Sequence, residues 1–252
     1  MNDSVIIHCM ARGRDPTRID EIATAAAEAF IEFGYFRAKV HQIADRAKVG
    51  PGTVYLYAQD KESLFELALL RALESPLAAN PVLPYRRTHP RSRRQLIESC
   101  LREVAQFPQL WVAAQRRNIS ESAREYHGIL LELCAWMRRY RSLILLTERN
   151  RVDWPDLAEL FQQVIWSDLH HRLTAYLATR MRTGHLVPVG DPAAVARYTL
   201  DALVATLVLG PLTPKTGAQE DELVVTLVSA AVAVGAGDGS ALPAPPDDRL
   251  PR

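Results

Sequence analysis

The 252 residues are 48% hydrophobic and 23% charged, with a net charge of +1. Length and apolar content suit one or two domains with a sizeable core, and the near-neutral balance excludes a nucleic-acid binder that works by overall positive charge. Three widely spaced cysteines (Cys9, Cys100, Cys134) in no metal-ligand spacing exclude a disulfide scaffold or a zinc module, so no metal and no cofactor are expected and a reduced, cytoplasmic setting fits best.

The chain begins with 1–14, expected to be a flexible N-terminal arm; its apolar patch Val5-Ile6-Ile7 is too brief for a signal segment. No stretch approaches the ~20 uninterrupted apolar residues of a membrane span. Asp15-Pro16 has the chemistry of a helix cap followed by a first helical residue. Ile19, Ile22, Ala23, Ala26, Phe30 and Phe33 then recur on one face, and Gly34 supplies the stop. That stripe is core.

Val40, Ile43, Ala44 and Ala47 give a short helix one apolar face. Gly50-Pro51 restarts the chain, because proline presets φ and needs no amide partner at the first helical position. A second helix, Pro51 to about Tyr57, follows. Thr53-Val54-Tyr55-Leu56-Tyr57 is rich in β formers and alternates like a half-buried strand. Helical patterns on both sides, and the lack of a second strand candidate nearby, favour the helix. Two short helices joined by a brief turn are the plan of a helix-turn-helix, whose second helix enters the DNA major groove.

Gly34-Tyr35, Val40, Ile43-Ala44, Ala47, Val49, Gly52-Thr53-Val54-Tyr55, Tyr57 and Lys61-Glu62-Ser63-Leu64 together resemble the signature of tetracycline-repressor (TetR) family regulators, over roughly Arg18 to Leu70. The resemblance implies an all-α fold, with an N-terminal three-helix helix-turn-helix domain and a C-terminal helical ligand-binding and dimerisation bundle. It also implies DNA contacts from Lys39, His41, Pro51, Gly52, Thr53, Tyr55, Leu56, Tyr57 and Lys61. The chemistry of several agrees: tyrosine hydroxyls can bind phosphates, Pro51 and Leu56 can touch a thymine methyl, and Lys61 at a helix start can clamp a phosphate. Three positions depart from the pattern. Ala38 and Gly50 stand where hydroxyl side chains usually cap, and Lys48 stands where glycine usually turns. A left-handed Lys48 would cost roughly 1–2 kcal/mol.

Asp60 caps the next helix, with Glu62 in its first turn. Pro76, Pro81, Pro84 and Pro90 break the chain and mark a boundary between a DNA-binding domain at 15–75, connecting helix included, and an effector-binding and dimerisation domain at 76–235. Arg86, Arg87, Arg91, Arg93 and Arg94 form a run without an acid. Its readings are a contact with DNA or an acidic partner, and a solvated helix start.

Helices are expected at 93–106, 109–120, 122–148, 155–183, 192–210 and 219–235. In the last two, apolar residues cover most of the circumference, so each must be buried. Two such helices at the end of the chain suit a two-fold interface with a second copy, using Val195, Leu203, Leu207, Leu223, Leu227 and Val228. Trp111, Trp136, Met137, Phe161, Trp166 and His170 are the larger side chains of the middle helices; each suits core packing, and as a set they suit an aromatic effector cavity. Residues 236–252 have the composition of a disordered tail. No catalytic motif stands out, and adjacent His170-His171 point about 100° apart on a helix. The expected function is a homodimeric DNA-binding transcriptional regulator, a repressor released from a palindromic operator by a small molecule. The alternatives are control by a protein partner or none, and a helical ligand-binding protein without DNA binding.

Overall fold

The computed structural model describes residues 16–76, 81–116, 122–187, 190–210 and 224–226. The expected arm at 1–14, the tail at 236–252, and the interface positions Leu223, Leu227 and Val228 lie outside the described residues. Among the described residues the protein is all helix, with one isolated parallel bridge between Ala58 and Tyr85. No described helix is long and apolar enough to cross a membrane.

Helix α1 (Pro16–Phe33) buries Ile19, Ile22, Ala26 and Phe30, and Gly34 ends it at φ +78°. A β-carbon there would be strained, which is why glycine is suited to this left-handed stop. Two short helices follow, α2 (Val40–Arg46) and α3 (Pro51–Tyr57), and then α4 (Lys61–Ala72). The α2 start has no hydroxyl cap; instead the Gln42 carboxamide oxygen accepts the Lys39 amide at 2.8 Å. Asp60 caps α4 by accepting the Ser63 amide at 2.7 Å. Helix α4 runs through the middle of the molecule and buries Ser63 to Leu70 without a break. It packs on α1 on one side and on the later helices on the other.

The C-terminal bundle comprises α5 (Pro90–Val104), α6 (Pro108–Gln115), α7 (Ser122–Arg139) and α8 (Arg141–Arg149). It continues with α9 (Pro155–Phe161), α10 (Asp168–Arg182) and α11 (Pro192–Leu203). The helix expected at 122–148 is two helices, hinged at Tyr140 (φ −100°, ψ 21°). No glycine or proline marks the hinge. Tyr140 leaves the helical region while its ring packs 5.3 Å from Trp136.

The helix expected to reach residue 120 stops at Gln115, because the buried Arg180 guanidinium takes the carbonyls of Ala113 and Arg116. Arg180 also binds Glu125 at 2.9 Å, so one charged side chain ties α6, α7 and α10 together. The stretch expected at 155–183 is helical throughout, but Gln162–Ser167 between α9 and α10 is a π segment. Val204–Val208, which extends α11, is another. Of the helix expected at 219–235, residues 224–226 are described as helical.

Candidate nucleic-acid interface and ligand cleft

The helix-turn-helix is held by backbone geometry at its turn. Lys48 adopts φ +54°, which lets the Val49 amide reach the Ala44 carbonyl at 3.0 Å and closes α2. Gly50 is extended and Pro51 opens α3. Val54 and Tyr57 point into the head core, whereas Pro51, Gly52, Tyr55 and Leu56 are exposed. Tyr55 and Leu56 keep 50% and 54% of their surface. Thr53 is half-buried, and Lys39 and His41 are exposed. A β-carbon at Gly52 would meet nothing within 4 Å. Packing inside the subunit therefore gives no reason for glycine there, although in a helix it costs roughly 0.5–1 kcal/mol. The open surface is free for close approach by an outside partner.

Two of the expected contact residues are placed differently. Tyr57 is 7% exposed, and its carbonyl accepts the Tyr85 amide at 2.7 Å. Lys61 donates its ammonium to the Phe36 carbonyl at 3.1 Å and lies 4.9 Å over the Tyr35 ring. Burial pushes the Lys61 pKa down, partly countered by Asp153. Lys61 thus lies along the end of the head and stays partly exposed.

Behind α3, residues 81–89 form a strap that folds back onto the head. Tyr85 pairs by main chain with Tyr57 and Gln59. Its phenol donates to Glu66 at 2.6 Å, and the Thr88 amide donates to the same carboxylate. The Glu66 carboxylate is fully buried, so these donors replace its lost hydration. Arg87 of the strap and Arg93 in the first turn of α5 are both paired with Glu62, the latter at 3.5 Å. The stretch between Pro81 and Pro90 is thus part of the head surface as well as a connector.

A polar and aromatic junction joins the head to the bundle at the end of α8. Asn150, at the end of α8, accepts the Tyr35 amide at 2.6 Å and donates to the Leu146 carbonyl at 2.7 Å. Arg149 donates to the Glu32 carbonyl at 3.2 Å, so the last turn of α8 satisfies the last carbonyls of α1. Trp154 stacks on Phe65 at 4.6 Å and meets Tyr35 edge-on at 5.4 Å.

The same α8 lines a cleft of about 860 Å³ in the bundle. Its walls include Ile144 and Glu148 from α8, Trp166 and His170 from the α9–α10 segment, and Arg197 and Val204 from the α11 segment. Both π segments open onto this one cleft. A π turn breaks the ordinary i→i+4 ladder and is frequent at functional positions. Of the side chains expected to form an effector cavity, Trp166 and His170 line the cleft. Trp136 and Phe161 are buried behind Trp166, at ring distances of 6.4 and 6.1 Å, and Met137 is fully buried. Trp111 is elsewhere, half-exposed on α6 beneath Arg172. Ile144, Glu148 and Arg197 carried no motif that could have marked them.

Of the expected interface positions, Leu203 and Leu207 are already buried within the subunit, and Val195 is half-buried. Tyr198 and Leu209, at 69% and 65% exposure, are the large apolar side chains that α11 and its extension present outward. Among the described residues no group of three or more His, Cys, Asp or Glu could hold a metal ion.

Residues 22–68, which carry this turn, match the family described as bacterial regulatory proteins, tetR family. The head is thus similar to that of the tetracycline-repressor family. The HTH-type transcriptional regulator HbdR of Aromatoleum sp. (strain CIB) is 37% identical over 65 residues, which cover 24% of this chain and 28% of that regulator. AibR, in complex with isovaleryl coenzyme A and operator DNA, shares the fold at TM-score 0.51 and 14% identity, covering 83% of this chain and 97% of that one. A TetR-family member from Streptomyces coelicolor A3 shares it at TM-score 0.50 and 16% identity, covering 86% and 91%.

Proposed function

We propose that this chain is a homodimeric repressor of the TetR family that leaves a palindromic operator when a small molecule enters the bundle cleft. The observation that carries the DNA half of this reading is the outward face of α3, where Gly52, Tyr55 and Leu56 are exposed beside Lys39 and His41. Two heads on a two-fold axis would meet half-sites one helical turn, ~34–36 Å, apart or a multiple of that. The second copy would dock on the outward strip of α11 and its extension that carries Val195, Tyr198 and Leu209.

The switching half rests on one helix that serves two sites. Ile144 and Glu148 line the cleft, and Asn150 at the end of the same helix holds Tyr35 of the head. A molecule that wedges α8 away from α10 must move Asn150, and with it the end of α1. Two heads shifted in this way no longer match the half-site spacing, and binding falls by population shift. The cleft offers an apolar wall with Trp166, and His170, Arg197 and Glu148 as polar groups, a lining that fits a part-apolar molecule with a polar or charged end.

The test is footprinting of the DNA upstream of the coding sequence at several salt concentrations. The expected result is a protected palindrome whose affinity falls steeply as salt rises. Small molecules, acyl-coenzyme A thioesters among them, are then screened for release of that DNA. A specific complex that no compound weakens would sink the switching half, and a protein that protects no site would sink the DNA half.

A further inference from the structure

We infer that the strap forms part of the DNA interface, and that Arg86 clamps a backbone phosphate beside the one facing the start of α4. This inference rests on the DNA-binding reading above and extends it beyond the helix-turn-helix.

The argument begins with charge. Residues 16–76 carry seven Lys and Arg against nine Asp and Glu, so the head alone is net acidic. Several of its cations are also taken: Arg18 pairs with Glu21, Arg46 with Glu28 and Glu32, and Arg71 with Asp20. Lys61 is turned onto Phe36 and Tyr35. A surface of that balance repels duplex DNA, since affinity depends on cations that displace counterions from phosphates. Residues 81–94 add five arginines and no acid, which reverses the sign.

The second part is placement. The Tyr85 amide binds the Tyr57 carbonyl, and the Gln59 amide binds the Tyr85 carbonyl at 3.0 Å. These bonds lay the strap along the chain that leaves the C-terminal end of α3 and enters α4. In extended backbone successive side chains point to opposite sides. The Tyr85 ring goes inward to Glu66, so Arg86 goes outward, and it is exposed with no ion-pair partner among the described residues. It thus lies next to exposed Gln59, just past the exposed Tyr55 and Leu56 of α3.

The neighbouring arginines do a different job. Arg87 and Arg93 pair with Glu62, and Arg93 lies 4.0 Å from the Glu66 carboxylate. Both cancel the charge of Glu62, the partly exposed acid at the start of α4. Within the strap Arg86 is left to bind, while Arg87 and Arg93 remove repulsion.

The experiment uses full-length protein and duplexes selected by the wild-type chain from a random-sequence pool. Affinity is measured across salt concentrations for wild type, Arg86→Gln, Arg86→Lys and Arg102→Gln. Arg102 is an exposed arginine farther along α5, paired with Glu98. Each lost phosphate contact lowers the slope of log affinity against log salt by about 0.9, so Arg86→Gln should lower it by about one per bound subunit. Arg86→Lys should restore most of it, Arg102→Gln should leave it unchanged, and all four proteins should melt together. Wild-type slope and affinity in Arg86→Gln would overturn the strap contact and leave the DNA-binding reading standing. A wild-type chain that selects no duplex would overturn both.

Discussion

Asn150 and Tyr35 are 115 residues apart in sequence, yet the Asn150 carboxamide oxygen accepts the Tyr35 amide at 2.6 Å. The Asn150 amide group donates back to the Leu146 carbonyl and, at 3.4 Å, to the Phe30 carbonyl. One buried side chain thereby satisfies the last turn of the first helix of the head and the last turn of α8.

Asn150→Leu keeps the volume and removes every one of those bonds. It leaves buried backbone groups unpaired, so a loss of about 1–3 kcal/mol in unfolding free energy is expected. If α8 carries the signal, the same variant should also weaken the effect of a releasing compound on DNA affinity. Denaturant unfolding and DNA release measured side by side would check this. A destabilised variant with an intact response would mean that the signal travels by another route.

Tyr55 and Tyr57 are separated by one residue and should behave oppositely. Tyr55 is half-exposed, so Tyr55→Ala should shift stability by no more than ~0.5 kcal/mol while reducing DNA affinity. Tyr57 is buried, and Tyr57→Ala should cost about 3–5 kcal/mol. Thermal melting separates the two before any DNA is added.

Lys48 sits at φ +54° in the turn. Lys48→Gly removes the steric cost of that conformation and should stabilise the protein by about 1 kcal/mol. Lys48→Ala should give no such gain, because alanine meets the same clash. Melting temperatures of the two variants are a direct comparison.

The Tyr85 phenol is raised well above its ordinary pKa of 10.0, first by burial and then by its hydrogen bond to Glu66. Below pH 10 it keeps its proton in both folded and unfolded chains. Above that, the unfolded chain releases the proton while the folded one retains it, so stability falls as pH rises. Burial raises Tyr126 and Tyr176 in the same sense. Denaturation midpoints at rising pH should therefore decline beyond pH 10, and Tyr85→Phe should remove part of the decline. A variant with a lower midpoint at neutral pH and an unchanged alkaline slope would contradict the strap geometry.

Short-range chemistry made much of the head legible. Gly34 as a left-handed stop, Gly50-Pro51 as a helix start, Asp60 as a cap and even the strained Lys48 are local events, decided by one residue and its φ or its side-chain oxygen. The apolar stripe of α1 was legible for the same reason, because its period matches the helix. Where expectation and structure part, the cause is a distant neighbour. The end of α6 is made by Arg180, some 65 residues later. The bend at Tyr140 carries no breaker residue, and π segments have no sequence mark that periodicity detects.

The sequence by itself determined an all-helical chain with a TetR-type head, because capping, turn conformation and apolar period are properties of neighbouring residues. Only the tertiary structure decided that Tyr57 is buried and Lys61 lies back on Phe36 and Tyr35, that the arginine strap returns to the head, and that the cleft and the head share α8. Those outcomes depend on which buried groups find partners far along the chain: Glu66 needs donors from Tyr85 and Thr88, and the end of α1 needs Asn150. Burial makes such pairings obligatory, and nothing in the local pattern names the partner.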